Sequence, residues 1–273
     1  MRVLPDLLPP TGTASPDLLL LELSDSPEWT PTAPDPVTDP PEDDVTQVLS
    51  PVDPESPDDP LADPDDLAGR PGSRGEHLLQ CAYGTQERAT RFYNDQVLDH
   101  LNQEMSDFVG RMDMAFVATS DADGECDASL RAGPPGFIQV LGERAIAYPE
   151  YRGNGVLASL GNISENPHVG VLMVDFVTDV IGLHVNGRAR IVEDEALRVE
   201  HPELPTDFDR GRTPERWVVV DVHEAYIHCR KHIPRMAPVA RERTWGTDDT
   251  KRKGGDFFAA KGMPRPWHQP ENA

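Results

Sequence analysis

Between Met114 and Ile227 the sequence reads as a succession of strands divided by tight turns, and this limits the possible fold more than any other feature. Met114-Ala-Phe-Val-Ala-Thr119 and Cys126-Asp-Ala-Ser-Leu-Arg131 flank Asp121-Ala-Asp-Gly124, where glycine can supply a positive φ angle, so the two form a hairpin. After the break Gly133-Pro-Pro-Gly136 come Phe137–Leu141 and Arg144–Tyr148, joined by a Gly142-Glu143 turn. Gly155 to Glu165 reads as a helix, closed by Asn166-Pro167. Val169–Phe176 is nearly all apolar, as a fully buried strand would be, and Ile181–Val192 and Trp217–Ile227 are two longer strands. Upstream, Ala89, Phe92, Tyr93, Val97, Leu101, Met105 and Phe108 recur at spacings of three and four. That period predicts one or two helices over 85–112, with Thr85 as N-cap. Short strands with one inserted helix predict a mainly β (α+β) fold, a six- to seven-stranded antiparallel barrel with flanking helices.

The segments outside this region differ in composition. Residues 1–70 hold 17 Asp and Glu against 2 Arg and no Lys, with 15 of the 28 prolines. Like charge, few apolar groups and dense proline cannot offset chain entropy, so a disordered acidic tail is expected over 1–74. Its apolar run, Leu18–Leu21, is far shorter than the roughly 20 residues a membrane span needs. The barrel domain is expected over 75–235. Residues 236–273 turn polar and basic around Trp245, Phe257, Phe258 and Trp267, which suggests a mostly irregular tail that docks locally. No apolar core leading to a small-residue cleavage site follows Met1. Three cysteines, Cys81, Cys126 and Cys229, make no disulfide framework, so a cytoplasmic protein is expected. The net charge of −23 argues against nucleic acid as a partner, Lys251-Arg252-Lys253 being the only short basic cluster.

Two segments could carry chemistry. In Tyr148-Pro-Glu-Tyr-Arg-Gly-Asn-Gly-Val-Leu-Ala-Ser-Leu160 a strand runs into a Gly-rich loop and then a helix. First-turn N–H groups attract anions, glycines let the backbone approach a phosphate, and Arg152 adds a charged donor. On spacing alone this is either a phosphate cradle or a plain strand-to-helix connection. In Ser129-Leu-Arg-Ala-Gly-Pro-Pro-Gly136, Ser129 and Arg131 alternate and share one face of a strand, either lining a site or facing solvent.

Taken in order, Phe116-Val-Ala-Thr119, Asp123-Gly124, Ser129-x-Arg131, Pro134-Pro-Gly-Phe137, Tyr148-Pro149, Arg152-x-Asn154, Asn162–Gly170, Leu183–Arg190 and Glu224–Pro234 resemble the pyridoxamine 5′-phosphate oxidase superfamily, the flavin-binding split barrels. The resemblance covers about residues 75–235. It implies a split barrel that binds FMN at the interface of a homodimer and acts on a small organic molecule, with deazaflavin or haem as alternative cofactors. It implies phosphate and ribityl contacts from Ser129, Arg131, Tyr151, Arg152 and Asn154, and ring contacts from His184 or Asn186. It assigns no protein acid or base, so a non-catalytic flavin, deazaflavin or haem module is the competing expectation. The loop Arg152-Gly-Asn154 lacks the lysine of the vitamin-producing oxidases, and their substrate-binding Arg and His segment has no clear match. Both departures point away from pyridoxamine phosphate as substrate.

His223, His228, Cys229 and His232 have zinc-compatible side chains. Strand alternation would put His228 and Cys229 on opposite faces, so a strand lining a cleft through Tyr226, His228 and Lys231 is expected instead, and no metal site. Asp175 and Asp179 flank an apolar strand end and suit a turn better than proton transfer.

Overall fold

The computed structural model describes residues 69–206, 211–239 and 245–265. The acidic segment up to residue 68 and Trp267 lie outside them. Among the described residues five α-helices, α1 (Arg74–Tyr83), α2 (Gln86–Gln96), α3 (Gln103–Arg111), α4 (Ala158–Glu165) and α5 (Asp194–Glu200), accompany eight strands. These are β1 (Val97–Leu98), β2 (Met114–Ser120), β3 (Cys126–Ala132), β4 (Gln139–Gly142), β5 (Ala145–Glu150), β6 (His168–Asp175), β7 (Ile181–Glu193) and β8 (Arg216–His228). All pairings are antiparallel, in the order β3-β2-β6-β7-β8-β5-β4, with β1 also on β8.

The predicted strands are present, and the helical stretch 85–112 is broken. Its period runs through Val97, yet Val97 and Leu98 pair with Tyr226 and Ala225 as an eighth strand. Thr85 holds the N-cap position of α2 without a side-chain bond, whereas Ser73 and Asn102 accept N–H bonds at the starts of α1 and α3. Helix α5 carried no signal that separated it from the strand before it.

Alternation decides which side chains face inward. Val117 on β2, Val171 and Met173 on β6, Val185 on β7, Val218 and Val220 on β8, and Ile146 and Tyr148 on β5 are buried in one cluster with Phe108, Val109, Leu160 and Ile163 from α3 and α4. On β8 the inward phase changes from Val218, Val220 and Val222 to Ala225. The register shift between Asn186 and Gly187 absorbs the extra residue, since Gly187 pairs with Val222 and Asn186 with Glu224. Without such a bulge, a one-residue slip would turn the rest of β8 inside out. The opposite face of β5 and β8 packs Ala147, Trp217 and Val219 against Leu197 of α5 and Leu204. There the buried Trp217 indole donates to Asp194 Oδ1 at 2.8 Å.

The two ends of the sheet do not pair through their backbones. Instead Arg131, pointing inward from β3, meets Glu150 on β5: Arg131 Nη2 lies 2.7 Å from Glu150 Oε1. The Arg131 guanidinium carbon also lies 5.8 Å from the centre of the Tyr148 ring. Side chains therefore bridge the split in the barrel. Asp175 resolves as a turn residue. Its carboxylate accepts N–H bonds from Val177, Thr178 and Asp179, and Arg111 reaches both Asp175 and Asp179.

Candidate functional site

At the split lies a cavity of about 440 Å³. Its sheet wall follows from strand phase. Asp127, Ser129 and Arg131 pair with Thr119, Val117 and Ala115, all buried, so they lie on the inward face of β3. Glu150 continues the inward phase of Ile146 and Tyr148, and it pairs with Arg216 on β8. Residues Tyr151 to Leu157 and the start of α4 complete the lining.

The helix begins at Ala158, three residues later than the glycines suggest. Gly155 takes a φ of 83°, which glycine adopts without strain, and Asn154 Oδ1 accepts from the Val156 N–H at 3.0 Å. Leu157 then occupies the left-handed region, with φ 58°, as a helix N-cap that offers no side-chain acceptor. Left-handed leucine is uncommon, and conformations of this kind are retained where the surroundings impose them. The first N–H groups of α4 are thus left without a cap at the cavity. Ser159 links loop and sheet: its hydroxyl lies 3.1 Å from Ser129 Oγ and 3.5 Å from Asp127 Oδ2.

Charge in the cavity is balanced. Arg131, Arg152 and Arg216 face Asp127, Glu150 and Glu215. The Arg131–Glu150 contact is close but lacks hydrogen-bond alignment. Arg131 Nε, Glu150 Oε1 and the buried Tyr148 hydroxyl have no partner with hydrogen-bond geometry among the described residues. Buried polar groups are normally satisfied, so these atoms mark a place built for something more than the protein supplies. Burial pushes the Glu150 carboxyl above its ordinary range; Arg131 and Arg216 pull it down and Glu215 pushes it up. Burial likewise raises the Tyr148 and Tyr151 phenols. Arg152 donates to Asp248 at 3.1 Å, and Trp245 packs edge-on to Tyr151, so the C-terminal segment lies against the outside of this loop.

Five of the seven residues singled out in the sequence, Ser129, Arg131, Tyr151, Arg152 and Asn154, line this one cavity. An uncapped helix start, an unpartnered Arg131 Nε and a glycine loop fit a phosphate group. His184 and Asn186 lie elsewhere. They alternate with the core residues Leu183 and Val185, so they occupy the outer face of β7, three strands from β3. His184 stacks on Tyr226 with ring centres 4.7 Å apart, and its Nε2 lies 3.0 Å from His228 Nδ1. Burial and the neighbouring His228 hold the His184 imidazole below its usual pKa. Asn186 Nδ2 donates to Glu224 at 3.3 Å. Among the described residues, no three His, Cys, Asp or Glu come together as metal ligands. Sequence reasoning missed Asp127, Glu150, Ser159, Glu215 and Arg216. Asp127 carried a usable signal, since it shares the strand phase of Ser129 and Arg131, and Glu150 and Ser159 stood inside the Tyr148–Leu160 segment itself; Glu215 and Arg216 are brought in by the distant strand β8.

The profile described as "Pyridoxamine 5'-phosphate oxidase" matches residues 101–229. Among solved structures, HupZ of Group A Streptococcus is similar at 19% identity over 50% of this chain and 99% of that chain, with a TM-score of 0.36. The FAD binding protein from Mycobacterium smegmatis is similar at 18% identity over 48% of this chain and 97% of that one, with a TM-score of 0.33. General Stress Protein 26 from Bacillus anthracis is similar at 16% identity over 45% and 91%, with a TM-score of 0.32. No curated protein matches the chain. No helix among the described residues is long and apolar enough to cross a membrane. Residues 101–229, a little under half of the chain, are thus similar to the pyridoxamine 5′-phosphate oxidase family.

Proposed function

We propose that this chain is an FMN-binding oxidoreductase of the cytoplasm that works on a small organic molecule as a homodimer. The observation that carries the reading is the convergence of Ser129, Arg131, the Arg152–Asn154 loop and the uncapped start of α4 on one cavity. Arg131 and Arg152 would neutralise the phosphate, the α4 N–H groups would donate hydrogen bonds to its oxygens, and Ser129 and Ser159 would orient it. The flavin supplies hydride or electron transfer when bound; the protein holds and orients it.

The placement of His184 and Asn186 supports two copies. Adjacent strands lie about 4.8 Å apart, so these residues sit roughly 14 Å across the sheet from β3 and on its other face. Ring contacts from them would come to the flavin of a second copy. The outer face offers an apolar row for such a contact: Leu130 is 58% and Phe116 42% exposed, and they pair across β3 and β2. The row continues through Leu172 to His184. Sedimentation should give the mass of a dimer, and Phe116→Asp should shift it toward a monomer. A monomeric parent protein would remove this part of the reading.

The direct test is an absorbance spectrum of purified protein, followed by titration with FMN. Oxidised-flavin bands are expected, and Arg152→Ala should weaken FMN binding about tenfold, the effect of roughly 1.4 kcal/mol from one exposed charge-assisted contact. Protein that takes up no FMN on reconstitution would refute the reading. A flavin, deazaflavin or haem module without turnover is the competing reading. Steady electron transfer from a nicotinamide donor to an acceptor would decide against it.

A further inference from the structure

In the cavity a buried carboxylate holds the guanidinium that an incoming anion needs. Glu150 is 8% exposed, the most buried carboxylate of the lining, and its partner is Arg131 at 2.7 Å. An anion entering a cavity with as many carboxylates as guanidinium groups gains little attraction unless one carboxylate is neutralised or moves away.

We propose that Glu150 is a proton-linked gate on Arg131, clamping the guanidinium between ligands and releasing it, with uptake of one proton, when a dianionic group enters. This rests on the reading of the cavity as an anion site. Three observations favour Glu150. First, the Arg131–Glu150 contact lacks hydrogen-bond alignment and leaves Arg131 Nε unpartnered, so the clamp is easily exchanged for a better acceptor. Second, β3 and β5 share no backbone pairing, so the pair can part without breaking a ladder. Third, the other carboxylates are poor candidates: the Glu215 side chain is 46% exposed and 3.5 Å from Arg216, and Asp127 lies beside the Ser159 hydroxyl.

The charged and titratable groups facing Glu150 are known from each side: Arg131 from β3, Arg216 and the preceding Glu215 beside β8, and Tyr148 on its own strand. Burial acts most strongly on Glu150 and disfavours its charge, while Arg131 acts most strongly against protonation. Once an anion takes Arg131, that opposing influence weakens and a proton becomes the nearest replacement. Ligand affinity then rises as pH falls toward the folded-state value of Glu150.

Sulfate is the cleanest probe, because its own charge does not change between roughly pH 5.5 and 8.5. In calorimetric titrations of the full chain, sulfate affinity should rise on acidification by up to about tenfold per pH unit. Glu150→Gln should bind sulfate about tenfold tighter near the alkaline end, with no such slope. Equal or weaker binding by Glu150→Gln, with the parental slope, overturns the gate. Should that variant not fold, titrating the parent in two buffers of different ionisation enthalpy counts protons directly. Up to one proton taken up per sulfate is expected, and none overturns the proposal. FMN binding without proton uptake removes the gate but leaves the anion site; a parent that binds neither FMN nor sulfate removes both.

Discussion

Replacing Arg131 by alanine should lower stability at neutral pH by about 3 kcal/mol and reduce FMN binding by at least about tenfold. The stability effect follows from what is left behind. Removing one member of a buried pair leaves an uncompensated charge, and such changes cost about 3–5 kcal/mol. The lower figure applies because Arg216 remains next to Glu150 and the Arg131 side chain is itself 23% exposed. The binding effect reflects the loss of a charge-assisted donor, worth roughly 1.5–3 kcal/mol. The pH dependence gives the prediction its sign. Burial already holds the Glu150 carboxyl above its unfolded value, with Arg131 as the main opposing influence. Glu150 therefore contributes stability that is complete below the unfolded value near 4.5 and is lost as pH rises through the folded one. In Arg131→Ala the folded value climbs further, so the loss extends over a wider window. Thermal unfolding should show a gap of about 6–12 °C from the parent near pH 7.5, since a domain of this size shifts about 2–4 °C per kcal/mol. The gap should narrow toward pH 5. A gap that widens on acidification would mean that Glu150 is not the group left stranded.

That pair also marks the limit of what sequence reveals. The β2–β3 hairpin was readable because its turn chemistry and alternation agree, and β6 because Val169–Val174 is apolar throughout. Ser129, Arg131 and Arg152 were readable because strand phase and a glycine loop carry local signals, whereas Tyr151 and Asn154 came from the family resemblance; all five line the cavity. Arg131 stands on β3 at one end of the sheet path and Glu150 on β5, next to the other end; they are joined only when the barrel curls, and no local pattern encodes that meeting. The same reason hid Arg216, which enters the cavity through its pairing with Glu150. Strand β1 was hidden differently. Val97 fits the helical period that precedes it, and only contact with Tyr226 turns two residues into a strand. His184 and Asn186 were correctly placed on a strand, but which face they share with Tyr226 depends on the core burying Leu183 and Val185.

Gly187→Ala should be the most disruptive single methyl addition to the barrel strands, lowering stability by about 3 kcal/mol, the upper end of what overpacking a core produces. The reason is not backbone freedom, because Gly187 lies in the extended strand β7. It is space. A Cβ at this position would stand 2.0 Å from the Asp221 carbonyl oxygen and 3.3 Å from Val220 Cγ1. The first of these is main chain held in two ladders, since Asp221 pairs with both Arg188 and Ala145. It cannot swing aside as a flexible side chain could. Relief would require undoing the register shift between Asn186 and Gly187, and that shift keeps both Val222 and Ala225 in the core. The strain would thus spread to the outer face, where Asn186 and Glu224 meet. Gly142→Ala supplies the control: it also sits at a bulge, between β4 and β5, but nothing lies within 4 Å of its added methyl. Chemical denaturation should give a midpoint far below the parent for Gly187→Ala and one close to it for Gly142→Ala. Equal midpoints for the two variants would show that β7 and β8 do not meet as closely as the register requires.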